Sequence, residues 1–207
     1  MIEILYADDR VLVCVKPAGV LSTDEPGGLP GLLRQQLNDP AAVVRTVHRL
    51  DRAVSGLMVL ARTTRAAADL SAQIRAGVFE KEYMAVVHGM PEEQGSFTDL
   101  LYRDKVRRMT LVVDAEGEGV QQASLSYCCL KRTEGKSLVR IRLNTGRTHQ
   151  IRVQFSSRGY PLLGDKKYGK GEPCAIGLWS CRIAFYHPRT GQRMEFEKLP
   201  PDEKPWL

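Results

Sequence analysis

The chain has 207 residues, 43% of them hydrophobic and 26% charged, the balance of an ordinary globular protein long enough to bury a core. Net charge is +6, from 30 Lys and Arg against 24 Asp and Glu, which suits a polyanionic partner without identifying one. The 5 cysteines are odd in number and include no Cys-x-x-Cys pair, which argues against a disulfide framework or zinc ribbon and for reduced, mostly buried thiols; no apolar run approaches the ~20 residues of a membrane span, and the N-terminus lacks a signal-peptide pattern.

Ile2–Tyr6 and Val11–Val15 read as two short strands around a turn at Asp8-Asp9-Arg10. Lys16-Pro17-Ala18-Gly19-Val20 ends the second, because Pro17 cannot continue a central ladder. Ser22–Gly31 is rich in Gly and Pro and predicts a loop, with neither phosphate-loop nor Rossmann spacing. Leu32–Leu37 predicts a short helix ended by Asn38-Asp39-Pro40. Val43–Val47 leads into the polar run His48–Ser55, and Leu57–Ala61 is an unbroken apolar run of the kind found in a buried strand.

Thr63 or Thr64 caps a helix over Arg65–Arg75, with Ala66, Leu70 and Ile74 on one face and Gly77 at the stop. Phe79–Gly89 predicts a strand with Tyr83, Ala85 and Val87 on one side. Pro91–Thr98 reads as a turn region, Arg103–Arg108 as a basic patch and Val113–Val120 as an exposed hairpin turn. Ala123–Lys131 and Ser137–Leu143 alternate like paired strands around Thr133-Glu134-Gly135-Lys136. Thr145 or Thr148 is placed to cap a following helix, and the tail from Leu199 to Leu207, with Pro200, Pro201 and Pro205, reads as a poorly ordered end. No repeat, low-complexity segment or composition break divides the chain, so one domain over residues 1–207 is expected.

The chemistry concentrates around Asp51, which stands between Arg49 and Arg52 just ahead of the apolar run. Nearby guanidiniums favour its ionised form, and such a carboxylate serves as a nucleophile or a base. Structural ion pairs give the same local pattern. His48 stands apart from the other three histidines and beside no paired carboxylates, which argues for loop ordering by hydrogen bonds and against a metal site. Between Lys131 and Arg152 there are seven Lys or Arg (131, 132, 136, 140, 142, 147, 152) and one acid, Glu134, a density suited to phosphate contacts.

His48-Arg49-Leu50-Asp51 followed by Ser55-Gly56 resembles the catalytic signature of the RluA-type pseudouridine synthases. Lys81-Glu82-Tyr83-Met84-Ala85-Val86-Val87-His88-Gly89 and Gly146-Arg147-Thr148-His149-Gln150-Ile151-Arg152 resemble two further stretches of that family in the same order. Lys16-Pro17-Ala18-Gly19, Gly164–Gly169 and Leu178–Pro188 follow its opening and C-terminal patterns. The resemblance implies an α+β fold: a mixed, mainly antiparallel central sheet with flanking helices and a catalytic cleft with Asp51 at its floor. It implies an enzyme that converts uridine in a structured RNA, a ribosomal or transfer RNA stem-loop, to pseudouridine.

On that resemblance Asp51 is the catalytic carboxylate, Arg152 pairs with it, Tyr83 stacks on the target uracil, and Leu178 packs on the other face of the base. Arg49 fills the gap left when the base is flipped, and His48, Arg52, Arg147 and His149 belong to the RNA-binding motifs. No metal and no cofactor is implied, since the isomerisation exchanges neither electrons nor phosphate. A cytoplasmic monomer without an added N-terminal RNA-binding domain is expected. Val54 and Gln154 stand where the family often has Thr and His, which bears on substrate identity and not on reaction type. The rival readings are an RNA-binding protein without catalysis and a glycosidic-bond hydrolase, the latter usually built on two carboxylates.

Overall fold

The computed structural model describes residues 1–206, and Leu207, the last residue of the tail that reads as a poorly ordered end, lies outside them. Along the chain run β1 (Glu3–Ala7), β2 (Val11–Lys16), α1 (Leu29–Gln36), β3 (Arg45–Thr46), β4 (Ser55–Ala61), α2 (Thr64–Arg75) and β5 (Glu80–His88). There follow β6 (Gln94–Asp104), β7 (Met109–Val113), β8 (Val120–Thr133), β9 (Lys136–Leu143), α3 (Gln150–Ser156), β10 (Leu178–Tyr186) and β11 (Arg193–Glu197). The chain divides into two compact units. Met1–Lys81 and Trp179–Leu199 form unit 1, and Glu82–Leu178 with the residues from Pro200 onward form unit 2.

In unit 1 the strand order is β1-β2-β4-β10, with β3 on β4 and β11 on β10. All of these pairs are antiparallel except β4 with β10. Every residue of β4 from Gly56 to Ala61 is buried, as its continuous apolar run requires of a central strand. Val11, Val13, Leu57, Val59, Ile183 and Phe185 form the sheet side of the core, and α2 covers them with Ala66 and Leu70. Thr63 caps α2 by accepting from Ala66 N at 3.0 Å, and Gly77 adopts φ +72° beyond its end. Both features match the sequence expectation for this helix.

Gly56, in the Ser-Gly of the central motif, is set by packing. It has φ +121°, and a Cβ on it would lie 2.4 Å from Ser180 O. Only a residue without a side chain lets β4 lie against β10 at this point.

In unit 2 the order is β5-β9-β8-β6-β7, all antiparallel. Phe97 of β6, Tyr127 of β8 and Phe155 of α3 form a triangle of aromatic rings with centroids 5.0–5.4 Å apart. The sheet is thus mixed and mainly antiparallel, and the fold is α+β as expected.

Several local expectations are corrected. Helix α1 begins at Leu29, inside the predicted loop, because Pro30 sits in its first turn, where a missing N–H costs nothing. The predicted turn region Pro91–Thr98 holds the start of β6, and Gly95 there leaves room for the Tyr127 ring, whose nearest atom would be 2.8 Å from a Cβ. Neither Thr145 nor Thr148 caps α3. Its N-cap is His149, in the left-handed conformation at φ +57° with no side-chain cap. The Thr145 hydroxyl instead accepts from Ser124 N at 2.9 Å and meets Gln150 Oε1 at 2.8 Å. All five cysteines are free, but only Cys14 and Cys181 are buried, and Cys128 is exposed.

Candidate active site

The loop carrying Asp51 is tied down by main-chain bonds from three directions. Ser22 Oγ donates to Leu50 O at 2.8 Å and accepts from Leu50 N at 3.1 Å. Ser22 O in turn accepts from Thr46 Oγ1 at 2.9 Å. Gly19 N donates to Arg52 O at 2.7 Å, and Arg52 Nε returns a bond to Gly19 O at 2.8 Å. Val54 N closes the turn on Asp51 O at 3.0 Å. Asp51 itself is half-buried, and its backbone is held on both sides.

Two buried bases flank this loop. His48 Nε2 accepts from Val59 N at 3.1 Å, so its proton resides on Nδ1, and its ring lies 5.4 Å from that of Phe79. Burial, helped by the Lys81 charge, lowers its pKa to about 3, so it is neutral at physiological pH. His48 thus anchors the loop to β4 through an uncharged hydrogen bond. Lys16, the last residue of β2, is fully buried. Its ammonium donates to Pro17 O at 2.9 Å, Val20 O at 2.8 Å and Arg52 O at 3.4 Å. Burial lowers its pKa to about 8, against the opposing pull of Asp51. Arg49, by contrast, is exposed, with no ion pair among the described residues.

In unit 2, Tyr83 and Leu178 are buried, at 5% exposure each. Arg152 projects from α3 and is also buried. Its guanidinium donates from Nε to Asp165 Oδ2 at 2.8 Å and from Nη2 to Asp165 Oδ1 at 2.7 Å. The guanidinium also stands 5.1 Å from the centre of the Tyr168 ring. Burial alone would raise the Asp165 pKa, but Arg152 and the N–H groups of Lys167 and Tyr168 hold it below the usual carboxylate range. A bidentate pair of this kind fixes the plane of the guanidinium. His149 Nδ1 meets Tyr168 OH at 2.7 Å and Arg103 Nη1 at 3.3 Å.

The seven cations between Lys131 and Arg152 do not form one surface. Arg152 is buried in its pair, Arg140 is paired with Glu82 at 2.6 Å, and Arg147 reaches Gln122 O at 3.0 Å. A denser exposed group lies at the β6–β7 turn, where Lys105, Arg107 and Arg108 surround Val106, which is 94% exposed. Sequence reading passed over Lys16, Ser22 and Asp165. Lys16 opens the Lys-Pro-x-Gly run and Asp165 lies in Gly164–Gly169, so both stood inside family patterns. Ser22 carried no local signal.

Among the described residues no group of three or more His, Cys, Asp or Glu is placed to hold a metal. No helix among them is long and apolar enough to cross a membrane.

Comparison with known proteins follows the same lines. The family model described as RNA pseudouridylate synthase matches residues 10–157. Ribosomal large subunit pseudouridine synthase D of Pseudomonas aeruginosa is 36% identical over 100% of this chain and 70% of its own length. The protein of the same name from Zymomonas mobilis is 32% identical, over 98% of this chain and 70% of its own. The solved structure of human RNA pseudouridylate synthase domain containing 1 superposes with a TM-score of 0.83 at 22% identity, covering 97% of this chain and 84% of that one.

Proposed function

The chain belongs to the RNA pseudouridylate synthase family and is an RNA pseudouridine synthase, and from that premise we propose that it isomerises uridine in ribosomal RNA with Asp51 as its catalytic carboxylate. The observation that carries the assignment of Asp51 is the anchoring of its loop: a carboxylate whose neighbours on both sides are fixed by Ser22, Gly19 and Lys16 is pre-positioned before substrate arrives. The choice of ribosomal RNA is supported by the names of the relatives, which act on the large subunit.

The reaction breaks the bond between N1 of uracil and C1′ of its ribose. The base turns, C5 bonds to C1′, and the hydrogen on C5 leaves as a proton, so neither oxidant nor reductant is consumed. Asp51 opens this path as a nucleophile or as a base toward the sugar. Arg152, held by Asp165, is assigned to keeping a carboxylate ionised, and Tyr83 and Leu178 to contact with the target base. Stacking of the Tyr83 kind is sequence-tolerant and worth ~1–3 kcal/mol per base. A uridine in a stem must first be flipped out, which costs on the order of a few kcal/mol. Arg49, exposed on the Asp51 loop, is the residue to occupy the vacated position. The cations of the β6–β7 turn, with Arg52, Arg147 and His149, are assigned to phosphate contacts, which give affinity and salt dependence.

The test is tritium release from RNA labelled at C5 of uridine, with the wild type and Asp51→Asn. Forming the C5–C1′ bond must expel that label. Release by the wild type and none by the variant is expected, with the modified site mapping to ribosomal RNA. Mapping to transfer RNA alone would overturn the substrate assignment, and full release by Asp51→Asn would overturn the role of Asp51. Free uracil among the products would instead favour a hydrolase.

A further inference from the structure

Lys16 does more than tether a loop: it is a fully buried cation aimed at the candidate catalytic segment. Burying an ammonium is costly unless each of its protons finds an acceptor. Here the match is complete: three N–H groups meet three carbonyl oxygens, those of Pro17, Val20 and Arg52. Two of these belong to the turn that follows β2. The third belongs to the residue immediately after Asp51.

The charges around Lys16 are few. Asp51 attracts it from the neighbouring loop. The guanidinium of Arg52 turns away to Gly19 O. On β4 its register partner is Gly56, which has no side chain. Glu3 of β1 lies opposite Val15 and is drawn to Lys198 at 2.7 Å.

We propose that Lys16 is a positioning residue for Asp51: its ammonium pins the backbone that follows the carboxylate and supplies a fixed positive charge to it. The inference rests on the reading of Asp51 as the catalytic carboxylate. A neutral amine has two N–H groups for the same three acceptors, and the longest bond, the 3.4 Å contact to Arg52 O, is the one to be given up. Because the pKa of Lys16 lies at about 8 and not in the usual lysine range, this loss falls inside the working range of an enzyme.

The experiment combines two readings. The first follows the side-chain carbon next to the Lys16 nitrogen by NMR in the wild type, and in Asp51→Asn, across pH 6–11. A midpoint near 8 is expected, moving to lower pH in Asp51→Asn because the attraction is gone. An ordinary lysine midpoint, or one that Asp51→Asn leaves unmoved, overturns the proposal. The second is the pH profile of tritium release by the wild type and Lys16→Met. The wild type is expected to lose several-fold in kcat between pH 7 and 9 with KM unchanged. Lys16→Met is expected to start several-fold lower and to be flat over that range. A Lys16→Met profile identical to the wild type overturns the proposal while leaving Asp51 catalytic. Activity retained by Asp51→Asn overturns the catalytic reading instead. If Lys16→Met does not fold, the wild-type and Asp51→Asn titrations still decide the matter.

Discussion

The two units hold their candidate site residues by opposite electrostatic means. In unit 1 the Asp51 loop is fixed to main-chain atoms by side chains that burial drives toward neutrality: His48, neutral at pH 7, and Lys16, close to losing its proton. In unit 2 the fixed groups are ion pairs: Arg152 on Asp165, and Arg158 on Asp99 at 2.9 Å. The acids of both pairs sit below the usual carboxylate range. Main-chain anchoring sets the path of a loop. Bidentate pairing sets the direction of one side chain. A nucleophile or base on a loop needs the first, and an arginine that must present its guanidinium in one orientation needs the second.

The sharpest way to break unit 2 is Asp165→Asn. It removes the anion from a guanidinium that is 9% exposed against a carboxylate that is 0% exposed. Truncating one partner of a buried pair typically costs about 3–5 kcal/mol, because the other charge remains buried. The pair's contribution is complete above the ordinary carboxylate pKa and is lost as pH falls through the lowered value of Asp165. Urea unfolding at pH 7 and pH 3 checks this. The penalty is expected to shrink at the lower pH, and an equal penalty at both would separate the effect from ion pairing.

In unit 1 the corresponding change is His48→Leu. It leaves Val59 N without its acceptor inside the core, a loss of about 2 kcal/mol. The pH dependence distinguishes it from unit 2. The unfolded imidazole binds its proton near 6.5 and the folded one only near 3. The unfolded state therefore holds more protons across that window, and wild-type stability falls as pH drops from 6.5 toward 3. Thermal melts of His48→Leu should lose this component of the acid slope. A variant with an unchanged slope between pH 6 and 4 would place the acid sensitivity elsewhere.

These anchors bear on what could be read beforehand. The loop itself was legible, since its motif is contiguous and the apolar run after it could only be a buried strand. So was α2, whose cap, apolar face and terminal glycine lie within one window. The anchors were not legible, because they join positions far apart in sequence: Ser22 to Leu50, Lys16 to Arg52, Arg152 to Asp165. Helix starts failed for a related reason. The first turn of α1, with Pro30 in it, lies inside a Gly- and Pro-rich stretch that reads as loop, the left-handed His149 departs from the usual cap signals, and the threonine that matched one was engaged with Ser124. The basic run from Lys131 to Arg152 misled because composition records no direction: Val139 and Ile141 face the core while Arg140 and Arg142, alternating with them, face away.

Lys16→Met gives a smaller effect on stability, with a sign opposite to its effect on activity. The folded pKa of Lys16 is about 8 against an ordinary value of 10.5. The unfolded chain holds the proton more tightly, so this group makes wild-type stability rise with pH above about 8. Over one pH unit the rise is about 1 kcal/mol. Cys14 works the other way, since burial lifts its pKa from 9.0 to about 12 and its contribution is lost as pH climbs above 9.0. The clean window is therefore pH 8–9. Denaturant midpoints there should rise for the wild type and stay level for Lys16→Met, and a parallel rise in both would remove Lys16 as its source.

The smallest expected change tests whether unit 1 depends on local capping as it does on long-range anchors. Thr63→Ala removes the hydroxyl that accepts from Ala66 N. Caps of this kind are worth about 0.5–1 kcal/mol. Because Leu70 and Ile74, beyond the first turn, keep α2 packed on the core, fraying of that turn leaves the β4 side of the core, and hence the Asp51 loop, in place. The midpoint should fall by that amount with tritium release unchanged. A loss of activity out of proportion to stability would mean that the start of α2 carries strain to β4, and that the loop is held less independently than its main-chain anchors imply.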